Sequence, residues 1–289
     1  MKHSVLLSSF LIFVMALAVS CASSQVKSVP GETDTFVMNG TREIPVTIVI
    51  PEGNGPFPLV VINHGHGGSR QENGGFAGVA KALSARGIAS IRMDFPGCGD
   101  SKVSFMENNL TNMISDSNAC RDFMVKNYPI DKKNMGLLGY SMGGRVSLAI
   151  MLSKNNPYKA AGLLAPATYP YDTPQNQANY RTALKDGVYK QPWYGRDLTI
   201  SPKFYEDLFA FDKVLENLPK MNNVMIVYGD KDDMVPPAVC RAAADKLGAK
   251  TVEVKDADHG YGFYSDQPAV TALVEGSFAD FFAGVFAGK

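Results

Sequence analysis

The chain has 289 residues, 28 basic and 28 acidic side chains, and a 45% hydrophobic composition. Balanced charge gives no electrostatic case for a nucleic-acid partner, and this apolar content excludes a largely disordered polymer. The length suits one large α/β domain behind a leader, and four cysteines are too few for a disulfide framework, which a core of this size does not need.

The chain opens with Met1-Lys2-His3, an apolar run over 5–19 and the small-residue exit Ser20-Cys21-Ala22-Ser23-Ser24. This pattern predicts an export signal over 1–21, too short and wrongly flanked for a membrane-spanning helix. Cys21 after Ala18-Val19-Ser20 resembles a bacterial lipoprotein cleavage box, with Ala18 where leucine is usual. Lipidation of Cys21 and anchoring at the cell envelope are therefore expected, with plain cleavage to a periplasmic or secreted product as the alternative. Residues 22–32 read as a polar tether and 33–289 as the folded domain. Cys98, Cys120 and Cys240 cannot pair completely and are expected as free thiols.

Strands are predicted at 34–38, 44–50, 58–63, 88–94, 135–139, 161–164, 224–228 and 251–254. Helical patterns fall at 76–86, 109–127, 142–153, 238–247 and 269–286. Several strands are continuous apolar runs, as parallel strands covered on both faces are. The alternation predicts an α/β, doubly wound and mostly parallel eight-stranded sheet, with its ligand crevice at the strands' carboxyl ends.

The strand at 58–63 runs into His64-Gly65-His66-Gly67-Gly68. Zinc chemistry would need a third and usually a fourth ligand, and Gly68 stands at the next alternate position, so no metal site is expected. The glycines here and at 97–99 lack dinucleotide-loop spacing, no P-loop pattern occurs, and no cofactor is expected. His64 is expected to pack at the base of its loop and hydrogen-bond the backbone. Asp94 and Asp100 are expected to tie the loop after their own strand.

At 139–143 the chain reads Gly139-Tyr140-Ser141-Met142-Gly143, a serine at a strand-to-helix turn. So tight a turn forces strained dihedrals on its centre, and small residues two positions away on either side relieve the clashes. Ser141 is the candidate nucleophile, and a serine hydroxyl needs a general base, for which imidazole is best matched. Of His3, His64, His66 and His259, only His259 follows Ser141, and sheet hydrolases of this design run serine, acid, histidine. An acid is therefore sought between them. The apolar strand at 224–228 leads into Gly229-Asp230-Lys231-Asp232-Asp233-Met234-Val235-Pro236, where three aspartates compete.

From 165 to about 217 the alternation pauses for a loop-rich insertion holding Pro166, Pro170, Pro174, Pro192 and Pro202. It is too aromatic for disorder, and long loops in compact domains are commonly functional. A small cap is expected. Its Tyr169, Trp193 and Tyr194 are candidates for an aromatic substrate pocket or for the cap's own core.

These motifs together resemble the α/β-hydrolase superfamily, over residue 44 to the C-terminus. That superfamily's acid loop commonly reads Gly-x-x-Asp-x-x-Val-Pro, so Gly229, Val235 and Pro236 select Asp232. His64-Gly65-His66-Gly67-Gly68 looks like its oxyanion loop, which implies the backbone N–H groups of His66 and Met142 as oxyanion donors. The insertion falls where the superfamily places its lid. Met93-Asp94-Phe95-Pro96-Gly97-Cys98-Gly99-Asp100-Ser101 is similar to a strand-end loop of the feruloyl (cinnamoyl) esterase branch and its serine aminopeptidase-like relatives, with Cys98 where histidine is common.

The resemblance implies a serine hydrolase that cleaves small to medium carboxylic esters through an acyl-enzyme, hydroxycinnamoyl or other aromatic esters among them. A serine peptidase of aminopeptidase or prolyl type is the alternative, with Asp172, Asp186 or Glu206 of the cap receiving the substrate's amino end. A non-catalytic envelope binding protein is the third reading, against which the full set of triad and oxyanion residues argues. Membrane contact is expected only through the lipid anchor.

Overall fold

The computed structural model describes residues 30–288. The export segment, Cys21 and all but the end of the tether lie outside the described residues. β1 (Gly31–Asn39) and β2 (Arg42–Ile50) form an antiparallel hairpin in which Asn39 faces Arg42. Gly40 takes φ 60° in its two-residue turn, the left-handed conformation that such tight hairpins require.

The chain then alternates through β3 (Phe57–Asn63), α1 (Gly75–Ser84), β4 (Ala89–Met93), α2 (Leu110–Asn127), β5 (Ile130–Tyr140), α3 (Met142–Met151) and β6 (Ala160–Leu164). Next comes the cap: α4 (Pro174–Asp186), β7 (Tyr189–Trp193), β8 (Arg196–Ile200) and α5 (Pro202–Glu216). The closing elements are β9 (Val224–Gly229), α6 (Pro237–Leu247), β10 (Lys250–Val254) and α7 (Pro268–Phe286).

The main sheet has eight strands in the order β1-β2-β4-β3-β5-β6-β9-β10, antiparallel through β4 and parallel from there on. β4, β6 and β9 are buried along their whole length, as expected of strands covered by helices on both faces. From β3 the chain crosses to β4 on one side and then to β5 on the other. The loops after β3 and β5 therefore meet at a topological switch point, where doubly wound sheets bind ligands. α7 is apolar over most of its length, and its Val274, Phe278 and Phe282 are fully buried in the core.

Two expectations need correction. β5 begins at Ile130, well before 135, because Phe57 pairs with Ile130 ahead of an irregularity in the ladder. The intervening Asp131-Lys132-Lys133-Asn134 is too polar to signal a strand. The insertion is also not loop-rich: it is a helix, a two-stranded hairpin and a second helix. Pro174 and Pro202, counted above among the prolines of a loop-rich insertion, stand at the first positions of α4 and α5, where the missing N–H costs nothing and the fixed φ favours a helix. Thr173 caps α4 by accepting from the Asn176 N–H at 3.2 Å. Tyr194 (φ 40°) and Gly195 (φ 81°) turn the hairpin in left-handed conformations.

A buried ion pair roots the cap. Arg145 of α3 donates from Nη1 to Asp212 Oδ1 of α5 at 2.9 Å and from Nε to the Ala167 carbonyl at 2.8 Å. Among the described residues Cys98, Cys120 and Cys240 are free and buried, and burial pushes the Cys98 and Cys240 thiols up to about 12.

Candidate active site

The turn after β5 holds Ser141 at φ 51° and ψ −113°, a conformation side chains avoid unless the surroundings impose it. The flanking glycines are steric necessities. A Cβ on Gly143 would strike the Asn63 and His64 carbonyls, and one on Gly139 would strike the Gly143 carbonyl and Ser147. Ser141 thus stands above the start of α3 with its side chain free for chemistry.

His259 reaches it from the loop after β10. Its Nε2 lies 3.1 Å from Ser141 Oγ, and its Nδ1 lies 2.7 Å from Asp232 Oδ2. That arrangement has the hydroxyl donating to Nε2 and Nδ1–H donating to the carboxylate. The three aspartates of the acid loop separate clearly. Asp232 is buried, and its Oδ1 accepts from the Met234 N–H at 3.0 Å and the Val235 N–H at 2.8 Å. Asp230 and Asp233 are exposed.

His64 fixes the loop after β3 by two bonds. Nδ1–H donates to the Gly65 carbonyl at 2.7 Å, and Nε2 accepts from the Phe95 N–H at 3.0 Å. The peptide joining Gly65 to His66 is planar, so holding its carbonyl turns the His66 N–H the opposite way. Among the described residues neither the His66 nor the Met142 N–H enters a hydrogen bond. The His66 side chain is packed away: Nε2–H donates to Gln191 Oε1 at 3.1 Å, and burial brings its pKa down to about 4. Asp94 ties its loop as expected, accepting from the Arg70 N–H at 2.6 Å and the Asp100 N–H at 2.9 Å and pairing with the Arg70 guanidinium. Asp100 pairs with the same guanidinium at 2.8 Å.

Ser141 and His259 open onto a cavity of about 640 Å³. Trp193 and Tyr194 line it, and Tyr194 is 84% exposed at its rim. Tyr169 does not line it. Its ring stacks on Tyr171 at 5.5 Å and its carbonyl accepts from Arg145, so it belongs to the root of the cap. Asp172, Asp186 and Glu206 are likewise exposed and outside the cavity. The acids that do line it are Asp233, Asp258 and the buried Glu72. Among the described residues no cluster of three metal-ligating side chains is found.

Three contributors escaped the reading of the sequence. Tyr261 donates to Asp232 Oδ2 at 2.9 Å while its own oxygen accepts from the Gly229 N–H at 2.9 Å. Tyr140 donates to the His259 carbonyl at 2.6 Å, with its ring 5.1 Å from the imidazole. Glu72 accepts from the Gly65 N–H at 2.9 Å and from the Tyr264 hydroxyl. Tyr140 and Tyr261 sit beside Ser141 and His259 in the chain, which was the available signal; Glu72 offered none.

Comparison with known proteins agrees with this architecture. The model of the prolyl oligopeptidase family (Peptidase_S9) matches residues 75–287. The S-formylglutathione hydrolase of Paracoccus denitrificans (strain Pd 1222) is 24% identical over 147 residues, 49% of this chain and 47% of that protein. The chain thus spans about half the length of this curated relative. Est1E from Butyrivibrio proteoclasticus with bound ferulic acid superposes at TM-score 0.68 and 23% identity, covering 86% of this chain and 99% of its own. DcsB in complex with its substrate analogue gives TM-score 0.71 at 16% identity, covering 87% and 99%. The esterase EaEST from Exiguobacterium antarcticum gives TM-score 0.60 at 19% identity, covering 86% and 100%. At these identities the solved structures establish the α/β-hydrolase fold.

Proposed function

The chain belongs to the prolyl oligopeptidase family, and from that premise we propose that it is a serine hydrolase cleaving carboxylic esters through an acyl-enzyme. One observation carries the reading: the continuous line from Ser141 Oγ through His259 to the buried Asp232, opening onto a cavity beside two unused backbone N–H groups. Ser141 attacks the carbonyl as its proton passes to His259 Nε2, and Asp232 holds the imidazolium through Nδ1–H. The N–H groups of His66 and Met142 receive the oxyanion. His259 returns the proton to the departing alcohol and then draws one from water, which releases the acid and restores Ser141.

An aromatic acyl group is the finer reading, supported by Trp193, Tyr194 and Tyr264 around the cavity and by the ferulic acid in the Est1E structure. The peptidase reading keeps support from the family itself and from Asp233 and Asp258 at the cavity, which offer carboxylates to a substrate amine. Export and lipidation at Cys21 rest on the N-terminal residues alone. Detergent-phase partitioning that persists in Cys21→Ala would sink the anchoring.

The test is hydrolysis of p-nitrophenyl acyl esters, methyl hydroxycinnamates and aminoacyl anilides by the mature protein beside Ser141→Ala. Ester turnover that falls by at least about a thousandfold in the variant, with an unchanged fold, is the expected result. Turnover of anilides alone would move the function to peptide cleavage, and activity retained in Ser141→Ala would remove Ser141 as nucleophile.

A further inference from the structure

The cap hairpin does more than roof the cavity; it grips the loop that carries the His66 N–H. Gln191 of β7 accepts from His66 Nε2–H at 3.1 Å, and Arg196 of β8 donates from Nη2 to the Gly67 carbonyl at 2.8 Å. Between them the Trp193 indole lies directly over Gly67, with Nε1 2.6 Å from where a Cβ would stand. The same indole meets the His66 ring edge-on at 5.0 Å. Pairing with Gln191 makes Nε2 the protonated nitrogen of His66 and, among the described residues, leaves Nδ1 buried without a partner. The ring is therefore held by the cap at one nitrogen only.

The loop itself supplies little stiffness, because glycines stand on both sides of His66 and give the backbone its widest freedom. A peptide unit moves as a plane, so rotation at Gly65 or Gly67 carries the His66 N–H with it. His64 and Glu72 hold the Gly65 end. Arg196, 129 residues away in the chain, holds the Gly67 end.

We propose that the hairpin is part of the oxyanion machinery, with Gln191 and Arg196 as positioning residues that keep the His66 N–H aimed at the carbonyl attacked by Ser141. The proposal rests on the hydrolase reading given above. It makes occupancy of the cap felt in kcat: a substrate that presses on the hairpin at Trp193 or Arg196 acts on the same side chains that set the donor.

The experiment compares p-nitrophenyl acetate, whose acyl group is minimal, with a p-nitrophenyl ester of an aromatic acid, in the full mature protein. In Gln191→Leu and Arg196→Ala, kcat for the acetate is expected to fall about tenfold or more while KM stays within about twofold, since a displaced donor weakens the transition state alone. Gln191→Glu still accepts the Nε2–H bond and is expected to hold kcat within about threefold of the parent. Unchanged acetate kcat in both loss variants, with a higher KM confined to the aromatic ester, would make the hairpin a pocket wall and overturn the proposal. Equal losses in Gln191→Leu and Gln191→Glu would overturn it too, because the bond would then be irrelevant. A fluorophosphonate probe on the parent separates the two readings. No labelling of Ser141 and no ester turnover strikes the hydrolase assignment, whereas an active parent with indifferent variants strikes only the positioning role.

Discussion

Two buried aspartates, one in the acid loop and one at the root of the cap, use the same hydrogen-bond plan for different ends. Asp232 gives Oδ1 to two backbone N–H groups, those of Met234 and Val235, and Oδ2 to His259 and Tyr261. Asp212 gives Oδ2 to the N–H groups of Tyr171 and Asp172, at 2.6 and 2.7 Å, and Oδ1 to Arg145 at 2.9 Å. Each carboxylate locks a loop with one oxygen and presents the other to a basic side chain. The difference lies in the base. An imidazole can take up and give back a proton in the course of a reaction, as the role proposed for the Asp232 pair requires, whereas a guanidinium keeps its proton and the Asp212 pair is a permanent tie. A buried carboxylate marks function only when its partner can titrate and that partner faces a cavity.

Substitution of each aspartate by asparagine is the most direct way to break this comparison. Asp232→Asn is expected to lower kcat about ten-thousandfold, by letting the imidazole take the wrong tautomer, with a melting temperature close to the parent's. Asp230→Asn and Asp233→Asn should stay within a few-fold; equal losses at all three positions would remove the special role of Asp232. Asp212→Asn should do the reverse. It leaves the Arg145 guanidinium buried without its counter-charge, which costs about 3–5 kcal/mol of stability, read by denaturant unfolding. A stable Asp212→Asn protein would show that the Ala167 and Tyr169 carbonyls alone satisfy Arg145.

Smaller changes sharpen the contrast. Tyr261→Phe removes one of two side-chain donors on Asp232 Oδ2 and leaves the Gly229 N–H without its acceptor. We expect a loss of about tenfold in kcat, from one hydrogen bond to a charged group. No change in kcat would confine Tyr261 to holding the loop.

The smallest effect concerns His66, an imidazole whose Nε2 pairs with the Gln191 amide. Burial, aided by the charges of His64 and Arg196 and opposed by the Gln191 bond, lowers its pKa from 6.5 to about 4. Between those values the unfolded chain binds a proton that the folded chain refuses, so stability rises with pH there. The neutral ring's contribution is complete above about pH 6.5 and is lost as pH falls through about 4. Unfolding measured from pH 7 to 4 should therefore be less pH-dependent in His66→Asn than in the parent. Identical pH profiles would mean that the ring takes up its proton without leaving its packing.

What could be read from neighbouring residues was what local sterics and periodic burial write there. Gly139 and Gly143 betray the turn at Ser141 because a Cβ at either would strike backbone, and continuous apolar runs betray the parallel strands. Chain order left His259 as the base. Asp232 needed a superfamily pattern to choose it, because burial and two backbone donors distinguish it from Asp230 and Asp233, and neither is visible in a run of acids. The cap's helices were hidden because proline both starts and breaks helices, and only its position relative to the cap residue decides which. The remaining contacts depended on the path of the whole chain. Arg145 and Asp212 lie 67 residues apart, Tyr264 and Glu72 192, and Gln191 and His66 125. Such pairs leave no periodic trace, since each forms only after the sheet has brought distant loops to one edge. The sequence by itself therefore determined the sheet, the turn and the order of the candidate residues along the chain, while tertiary packing alone decided which carboxylate is buried, what roots the cap and what holds the His66 loop.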